Sequence, residues 1–411
     1  MNFFDKNIET MPRDEIISLQ KAKLEKRFGI KDIKYAPLTS KTDLRENYPT
    51  GLFGVDMKKV VRLHASSGTT GKPTVVGYTK NDLDMWSDCM ARLCVSAGVT
   101  DEDIVQIAFG YGLFTGALGL HYGLEKIGAI VIPASSGNTD KQIMLMEDIG
   151  TTGLVSTPSY AYHLGERIKE LDASEKINLK LGLLGSEGST VEFREKIEEI
   201  LSNSKINFFA TDNYGMSELM GPGVSGDCSL RCGMHINEDH FLAEILDPIT
   251  LEPKPEGEYG ELVITTLSKE CMPLVRYRTK DITCIWTEKC SCGRTHARMD
   301  KIKGRTDDML KIRGVNVFPG QIESVLCQFE ELSPNYQLVV TRENFSDKLE
   351  VKVEFIDTSL LESYRLLEEL KSRILKKIMT VLGIKVKVSL VESGSIERTA
   401  GKAKRILDLR E

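Results

Sequence analysis

At 411 residues the chain is longer than one hydrophobic core usually serves, so two or three domains are expected. Its hydrophobic and charged shares, 41% and 28%, are those of a soluble globular protein, and a formal charge of −6 gives no electrostatic reason to expect nucleic acid or an anionic membrane as partner. No apolar run approaches the roughly 18 residues that span a bilayer, and the start Met1-Asn2-Phe3-Phe4-Asp5 lacks the basic and apolar regions of a signal peptide. A cytoplasmic location with mostly reduced cysteines is therefore expected.

In chain order, Pro12 at a first helical position followed by Ile16, Leu19, Ala22, Leu24 and Phe28 predicts a helix over 12–28. After Leu63 comes Ser66-Ser67-Gly68-Thr69-Thr70-Gly71-Lys72-Pro73, which combines glycines, hydroxyls and a lysine. Such a loop turns tightly, presents several donors to one anion and adds a positive charge, as gripping a polyphosphate requires; the alternative is a polar surface loop between strands. A Walker-type loop is disfavoured, because Lys72 is followed by Pro73, which has neither hydroxyl nor N–H, and because a β-rich run, 74–78, follows instead of a helix.

A helix is expected over 81–97, with Asn81 or Thr79 near its cap and Cys89 and Cys94 in its apolar face. Strands at 104–109, 129–133, 153–157, 180–185 and 206–210 alternate with helices at 112–128, 141–149, 160–171 and 191–201. That alternation predicts a layered α/β domain with largely parallel sheets. From 233 to 286 the character turns to β, with strands at 241–246, 260–267 and 281–286. Runs at 336–341, 349–356 and 386–391 with a helix at 360–382 form a small α+β unit. The boundary falls at Gly304-Arg305-Thr306-Asp307-Asp308, giving an N-terminal domain of 1–304 and a C-terminal domain of 305–411.

Four further segments share the vocabulary of the glycine-rich loop: Tyr214-Gly215-Met216-Ser217-Glu218, Tyr277-Arg278-Thr279-Lys280-Asp281, the Gly-punctuated crossing from Gly304 to Pro319, and Thr399-Ala400-Gly401-Lys402. Each is weak alone, but their order and spacing are specific. The chain resembles the adenylate-forming superfamily, and within it the phenylacetate-CoA ligases. The likeness runs from Glu9-Thr10-Met11-Pro12-Arg13 through Gly110-Tyr111-Gly112-Leu113-Phe114-Thr115-Gly116 and Gly314-Val315-Asn316-Val317-Phe318-Pro319 to Gly401-Lys402-Ala403-Lys404-Arg405.

The resemblance implies a large N-terminal AMP-binding domain, a small mobile C-terminal domain, and a two-step reaction. A carboxylate attacks the α-phosphate of ATP to give acyl-AMP and pyrophosphate, and the thiol of coenzyme A then displaces AMP. In-line attack at phosphorus builds charge on phosphate oxygens, so donors and a cation must be in place around them. By resemblance, the loop from Ser66 to Lys72 lies on the pyrophosphate side, and Glu218 holds Mg²⁺. Ser217 supplies a hydroxyl where threonine is common, and Tyr214 and Gly215 belong to the same nucleotide-contacting motif. Asp281 accepts both ribose hydroxyls, its alternative being a salt bridge to Arg278 or Lys280. Arg305 reaches the nucleotide at the domain junction, and Glu187 lies along the adenine. Lys402 contacts the substrate carboxylate and the α-phosphate, the alternative being a solvated tail lysine. Asp307 matches the hinge about which rotation would exchange Lys402 for the Arg313-Gly314 face.

Two departures stand out: Gly188-Ser189 where a Pro-Trp pair is common after Glu187, and Glu397 where proline is common before Arg398. Phe109, Tyr111 and Phe114 among glycines could wall a pocket for a flat ring, or could equally be core packing. Cys290-Ser291-Cys292-Gly293 resembles half of a structural zinc knuckle. Cys228 and His235 complete it in some relatives, with Cys232 and His296 as competitors and four unliganded groups as the other possibility. The expected partners are thus an aryl carboxylic acid, ATP and coenzyme A, with a homodimer implied by the resemblance. Transfer to a carrier protein and a non-catalytic nucleotide-binding module are the alternative functions.

Overall fold

A computed structural model describes residues 2–66, 73–313, 315–343, 346–356, 364–398 and 403–410. The expectations placed on Ser67, Gly68, Thr69, Thr70, Gly71, Lys72, Gly314 and Lys402 lie outside these residues.

Among the described residues, a nine-stranded sheet forms the spine of the larger domain. Its order is Ile285–Trp286, Arg298–Met299, Met234–Ile236, Gly221–Asp227, Phe209–Met216, Leu181–Leu184, Gly153–Ser156, Ile104–Ile107 and Ile130–Ile132. The half built from the alternating strand–helix region is parallel throughout, as its crossover helices require. The other half is antiparallel. Strand Phe209–Met216 belongs to both, running parallel to Leu181–Leu184 and antiparallel to Gly221–Asp227, with a bulge between Tyr214 and Gly215. A Cβ on Gly215 would lie 1.9 Å from the Gly221 carbonyl oxygen, so only glycine permits this close turn-back just before Ser217 and Glu218.

A second sheet, antiparallel, orders Phe241–Leu246, Gly260–Thr266, Tyr277–Thr283 and Gly304–Arg305. Its register sets Asp281 opposite Arg305. The strand expected over 281–286 begins earlier and breaks after Thr283, so Asp281 sits inside a strand whose side chains alternate in burial. Strands Arg62–Ala65 and Val75–Tyr78 pair antiparallel and flank the glycine-rich loop, as the β-rich run predicted. Ser66 pins the loop's base: its N–H donates to the Thr74 carbonyl at 2.9 Å and its Oγ accepts from the Thr74 N–H at 3.2 Å.

Helix Lys80–Ala97 starts in a capping box of Thr79 and Asp82 and stops at Gly98 in the left-handed region. Cys89 and Cys94 are buried on it, and burial pushes both thiols up to about 12. Pro12 stands one position before helix Arg13–Phe28, at its N-cap, where its missing N–H costs nothing. The smaller domain has a core of its own, including Leu310, Ile322, Leu338, Val351, Ile374 and Ile378. Its sheet orders Lys387–Val391, Ser346–Phe355, Leu332–Glu343 and Ile406–Asp408. The last strand, too short to read in the sequence, pairs parallel with Leu338–Val340 and carries the C-terminal segment back across its domain. No helix among the described residues is long and apolar enough to cross a membrane.

Helices Lys80–Ala97 and Gly116–Ile127 cross where Gly123 meets Met90: a Cβ there would lie 2.4 Å from the Met90 Cβ and 2.9 Å from its carbonyl carbon. Gly123→Ala must push the helices apart, and its gain in helix propensity does not offset the crowding. Urea unfolding should show a loss of about 1–3 kcal/mol, and an unchanged midpoint would contradict the close crossing.

Candidate active site

Two buried carboxylates define the site. Asp281 receives the Tyr214 hydroxyl on Oδ2 at 2.6 Å and the Arg305 Nη1 on Oδ1 at 2.7 Å. Burial holds its pKa above the usual aspartate value, with the Arg305 charge and the Tyr214 hydrogen bond pulling it back. Neither alternative partner is used, since Arg278 forks onto Glu261 and the Lys280 ammonium is 4.0 Å from Glu261. Arg305 also binds Asp307 through two contacts, Nε to Oδ1 at 2.9 Å and Nη2 to Oδ2 at 3.1 Å. One guanidinium thus joins Asp281 to the position expected to be the hinge.

Glu218, four residues beyond Tyr214, is buried beneath the turn that follows strand Phe209–Met216. Its Oε1 lies 3.3 Å from the Lys41 ammonium. Lys41 heads helix Lys41–Glu46, whose start is fixed by a Ser40–Asp43 capping box. The residues before it are stitched to the Asp281 strand: the Thr39 N–H donates to the Arg276 carbonyl and the Arg278 N–H to the Thr39 carbonyl. The Ser217 Oγ meets the Thr115 Oγ1 at 3.2 Å, at the start of helix Gly116–Ile127. Lys269 lies fully buried under the same turn, 3.4 Å from the Glu218 carbonyl and 4.8 Å from the Tyr78 ring centroid. Burial lowers its pKa to about 8.

The segment expected to wall an acid pocket abuts the base of the glycine-rich loop. The Leu113 carbonyl accepts from the Ala65 N–H at 2.9 Å and lies 3.0 Å from the His64 Nδ1. Phe109 and Tyr111 pack against the core, while Phe114 is half exposed. The Tyr111 hydroxyl meets the His121 Nδ1 at 3.0 Å, and His121 in turn meets Glu125 at 3.1 Å. Glu187 accepts from the Ser159 N–H and Oγ on Oε2, at 3.2 and 2.7 Å, and from the Ala403 N–H on Oε1. Arg313 is turned away from these groups, onto the Lys385 carbonyl.

A second cluster lies at the far end of the antiparallel half-sheet. The ligand atoms of Cys228, His235, Cys290 and Cys292 all lie within 4.8 Å of one another, and all four residues are buried. The Cys292 sulfur is 3.4 Å from the His235 Nε2. Hydrogen bonds from Cys228 and then His235 hold that thiol well toward thiolate. The competing residues are engaged elsewhere: Cys232 is exposed, and both ring nitrogens of His296 face backbone carbonyls, of Ile236 and Ile8.

Comparison with known proteins decides the family. The AMP-binding enzyme model matches residues 30–268 and the AMP-binding enzyme C-terminal domain model residues 314–410. The chain belongs to the AMP-binding enzyme family. It is 44% identical to a phenylacetate-coenzyme A ligase of Thermus thermophilus, covering 99% of this chain and 100% of that one. It is 46% identical to that of Escherichia coli, over 93% and 86%. Among solved structures, 2-hydroxyisobutyryl-CoA ligase in the postadenylation state with an acyl-AMP superposes with a TM-score of 0.88 at 26% identity, over 99% of this chain and 92% of that one. The same ligase with coenzyme A in the thioesterification state gives 0.69 at 27% identity, over 100% and 93%.

Within this AMP-binding fold, Lys41 and Ser159 escaped the sequence reading. The Ser40–Asp43 capping box was a legible signal for the helix that Lys41 heads, but nothing local tied that lysine to Glu218. At the Gly188-Ser189 departure, a Cβ on Gly188 would meet nothing within 4 Å among the described residues. The neighbouring Ser189 faces Asp212, which is paired with Lys301 at 2.6 Å.

Arg305→Met should separate the two carboxylates' fates. Without the guanidinium, the folded pKa of Asp281 climbs further, while in the unfolded chain it stays near 4. Between those values the folded state retains a proton that the unfolded state has lost, so stability falls as pH rises through the window. Arg305 is 32% exposed, so the loss relative to the parent protein should be modest, about 1–3 kcal/mol at pH 8 and smaller at pH 5 by urea unfolding. A pH-independent loss would show that Asp281 does not depend on Arg305.

Proposed function

We propose that the protein is an ATP-dependent acid–thiol ligase that converts an aryl acid of the phenylacetate kind, through its acyl-adenylate, to the coenzyme A thioester, releasing AMP and pyrophosphate. The observation that carries this reading is the pairing of two buried carboxylates, Glu218 and Asp281, about one strand in a chain nearly half identical, end to end, to phenylacetate-coenzyme A ligases. The Asp281 oxygens, already serving two donors, are the acceptors for the ribose hydroxyls, with Tyr214 and Arg305 keeping the carboxylate aimed. Glu218 would hold Mg²⁺: it is a hard oxygen ligand already balanced by one cation, the Lys41 ammonium. When bound, the ion neutralises charge developing on phosphate oxygens. Ser66 fixes the base of the loop through Lys72 that faces the pyrophosphate, Ser217 adds a hydroxyl, and Lys402 orients the acid against the α-phosphorus.

The chain divides near Asp307. The better superposition on the postadenylation state, 0.88 against 0.69, supports an arrangement of the two domains that belongs to the first half-reaction. Rotation about Asp307 would then carry Arg313 and Gly314 toward the thiol step. Phe109, Tyr111 and Phe114 border the acid. A cytoplasmic location and a homodimer complete the reading, on composition and resemblance.

Cys228, His235, Cys290 and Cys292 would hold a structural Zn²⁺. Three sulfurs and an imidazole nitrogen are a tetrahedral zinc set, and their ligand atoms are gathered within 4.8 Å of one another. His235, whose buried Nδ1 has no partner among the described residues, lines a cavity of about 20 Å³, large enough for a water.

A pyrophosphate-release screen over carboxylic acids, with and without coenzyme A, tests the activity. Aryl acids should release pyrophosphate and form thioester; no release with any acid would leave a nucleotide-binding module, and adenylate without thioester would favour a carrier acceptor. Lys402→Ala should lose adenylation by at least about 100-fold yet form thioester from supplied acyl-AMP, and equal loss of both halves would refute its role. Protein purified without added metal should carry close to one zinc per chain by elemental analysis, and less than about 0.2 would count against a closed structural site.

A further inference from the structure

Glu187 was expected along the adenine, yet both of its oxygens are engaged by the protein. Oε2 takes two donors from Ser159, the N–H at 3.2 Å and the hydroxyl at 2.7 Å, in the first turn of helix Pro158–Glu170. Oε1 takes the Ala403 N–H. Ser186, held at a φ of 71°, turns the backbone immediately before Glu187. The carboxylate is therefore set by the larger domain and spent on the residue that follows Lys402.

The rest of the C-terminal segment is tied chiefly to its own domain. Arg398 forks onto Glu354 at 2.7 and 2.9 Å, with Glu166 of the larger domain farther off at 3.9 Å. Arg405 lies over the Tyr336 ring at 4.3 Å and 3.5 Å from Glu323, and Ile406–Asp408 joins the small sheet. Between these anchors, among the described residues, the Glu187–Ala403 bond is a charge-assisted contact that crosses to the larger domain beside Lys402, and it exists in an arrangement that superposes better on a postadenylation state than on a thioesterification state. A rotation of the small domain must break it, because its donor and acceptor ride on different bodies.

We propose that Glu187 is a positioning residue, a latch that seats the segment beginning at Ala403 for the adenylation half-reaction and releases it for the thioester half. The proposal rests on the reading of Lys402 as the adenylation lysine. It assigns Glu187 to the catalytic lysine's placement instead of to the nucleotide base.

Half-reactions separate these roles. Glu187→Ala should lower the adenylation kcat tenfold or more while KM for ATP stays within twofold, and thioester formation from supplied acyl-AMP should run at the parent rate or faster. Glu187→Gln should fall between, because one amide oxygen can serve only one of the two ends, and Ser159→Ala should shift adenylation in the same direction by less. A raised KM for ATP at unchanged kcat would overturn the latch in favour of a nucleotide contact. Equal loss in both halves, with a lowered melting temperature, would overturn it in favour of a merely structural role, and parent-like adenylation would overturn it outright. Lys402→Ala, run alongside, keeps the two readings apart: if it abolishes adenylation while Glu187→Ala does not, the latch alone fails.

Discussion

The Arg305 guanidinium is the contact on which the site's architecture turns. It spans two carboxylates that the fold would otherwise leave in conflict: Asp281, buried within a strand, and Asp307, at the edge of the small domain. A buried carboxylate without a cation would protonate or destabilise the strand that carries it. Arg305, opposite Asp281 in register, fixes its direction and pulls back the rise in pKa that burial imposes. The same cation ties the nucleotide side of the site to the segment about which the small domain would turn. Were Asp281 to take the ribose hydroxyls as proposed, the grip of Arg305 on Asp307 would change as well.

The opposite end of the site follows a similar electrostatic logic. Glu218 is buried beside Lys41, and Lys269 lies under the turn that carries it. Lys41 pairs with the Glu218 carboxylate, while Lys269, beside the Glu218 carbonyl, also feels the Asp82 charge. Lys269 is fully buried, its one side-chain hydrogen bond among the described residues is long, and burial depresses its pKa to about 8. A well-packed apolar side chain would cost the fold less.

Much of this was legible in the sequence because the signals are local. Thr79 with Asp82, the Gly98 stop, the strand–helix alternation from 104 to 210 and the short motifs around Glu218 and Asp281 all act within a few residues. What escaped was set by tertiary register. Nothing near Lys41 reveals that Thr39 will be stitched to Arg276 and Arg278, some 240 residues away, and so deliver the lysine to Glu218. Nothing near Cys228 or Cys232 says which sulfur faces inward; strand pairing of Gly226 with His235 decided it. The change from parallel to antiparallel pairing at strand Phe209–Met216 comes from the short turn through 217–220, and the accompanying bulge shows only in the close Gly215–Gly221 approach.

The junction between the domains is built mostly from polar contacts. The Thr190 N–H donates to Glu323, Ser324 to Glu192, and Lys196 to the Phe329 and Leu332 carbonyls. Each of these bonds has one ionic end, and such bonds contribute roughly 1.5–3 kcal/mol apiece, against roughly 0.5–1.5 for a neutral pair. An apolar seam of the same extent would resist opening. The stability of such a junction depends more on where its few charge-assisted bonds are placed than on its area. Glu323 illustrates the balance. It is buried with a raised pKa, burial outweighing the Arg405 charge. The Thr190 N–H and the Arg405 guanidinium share that carboxylate, so the junction is held by several such bonds together with the one at Ala403.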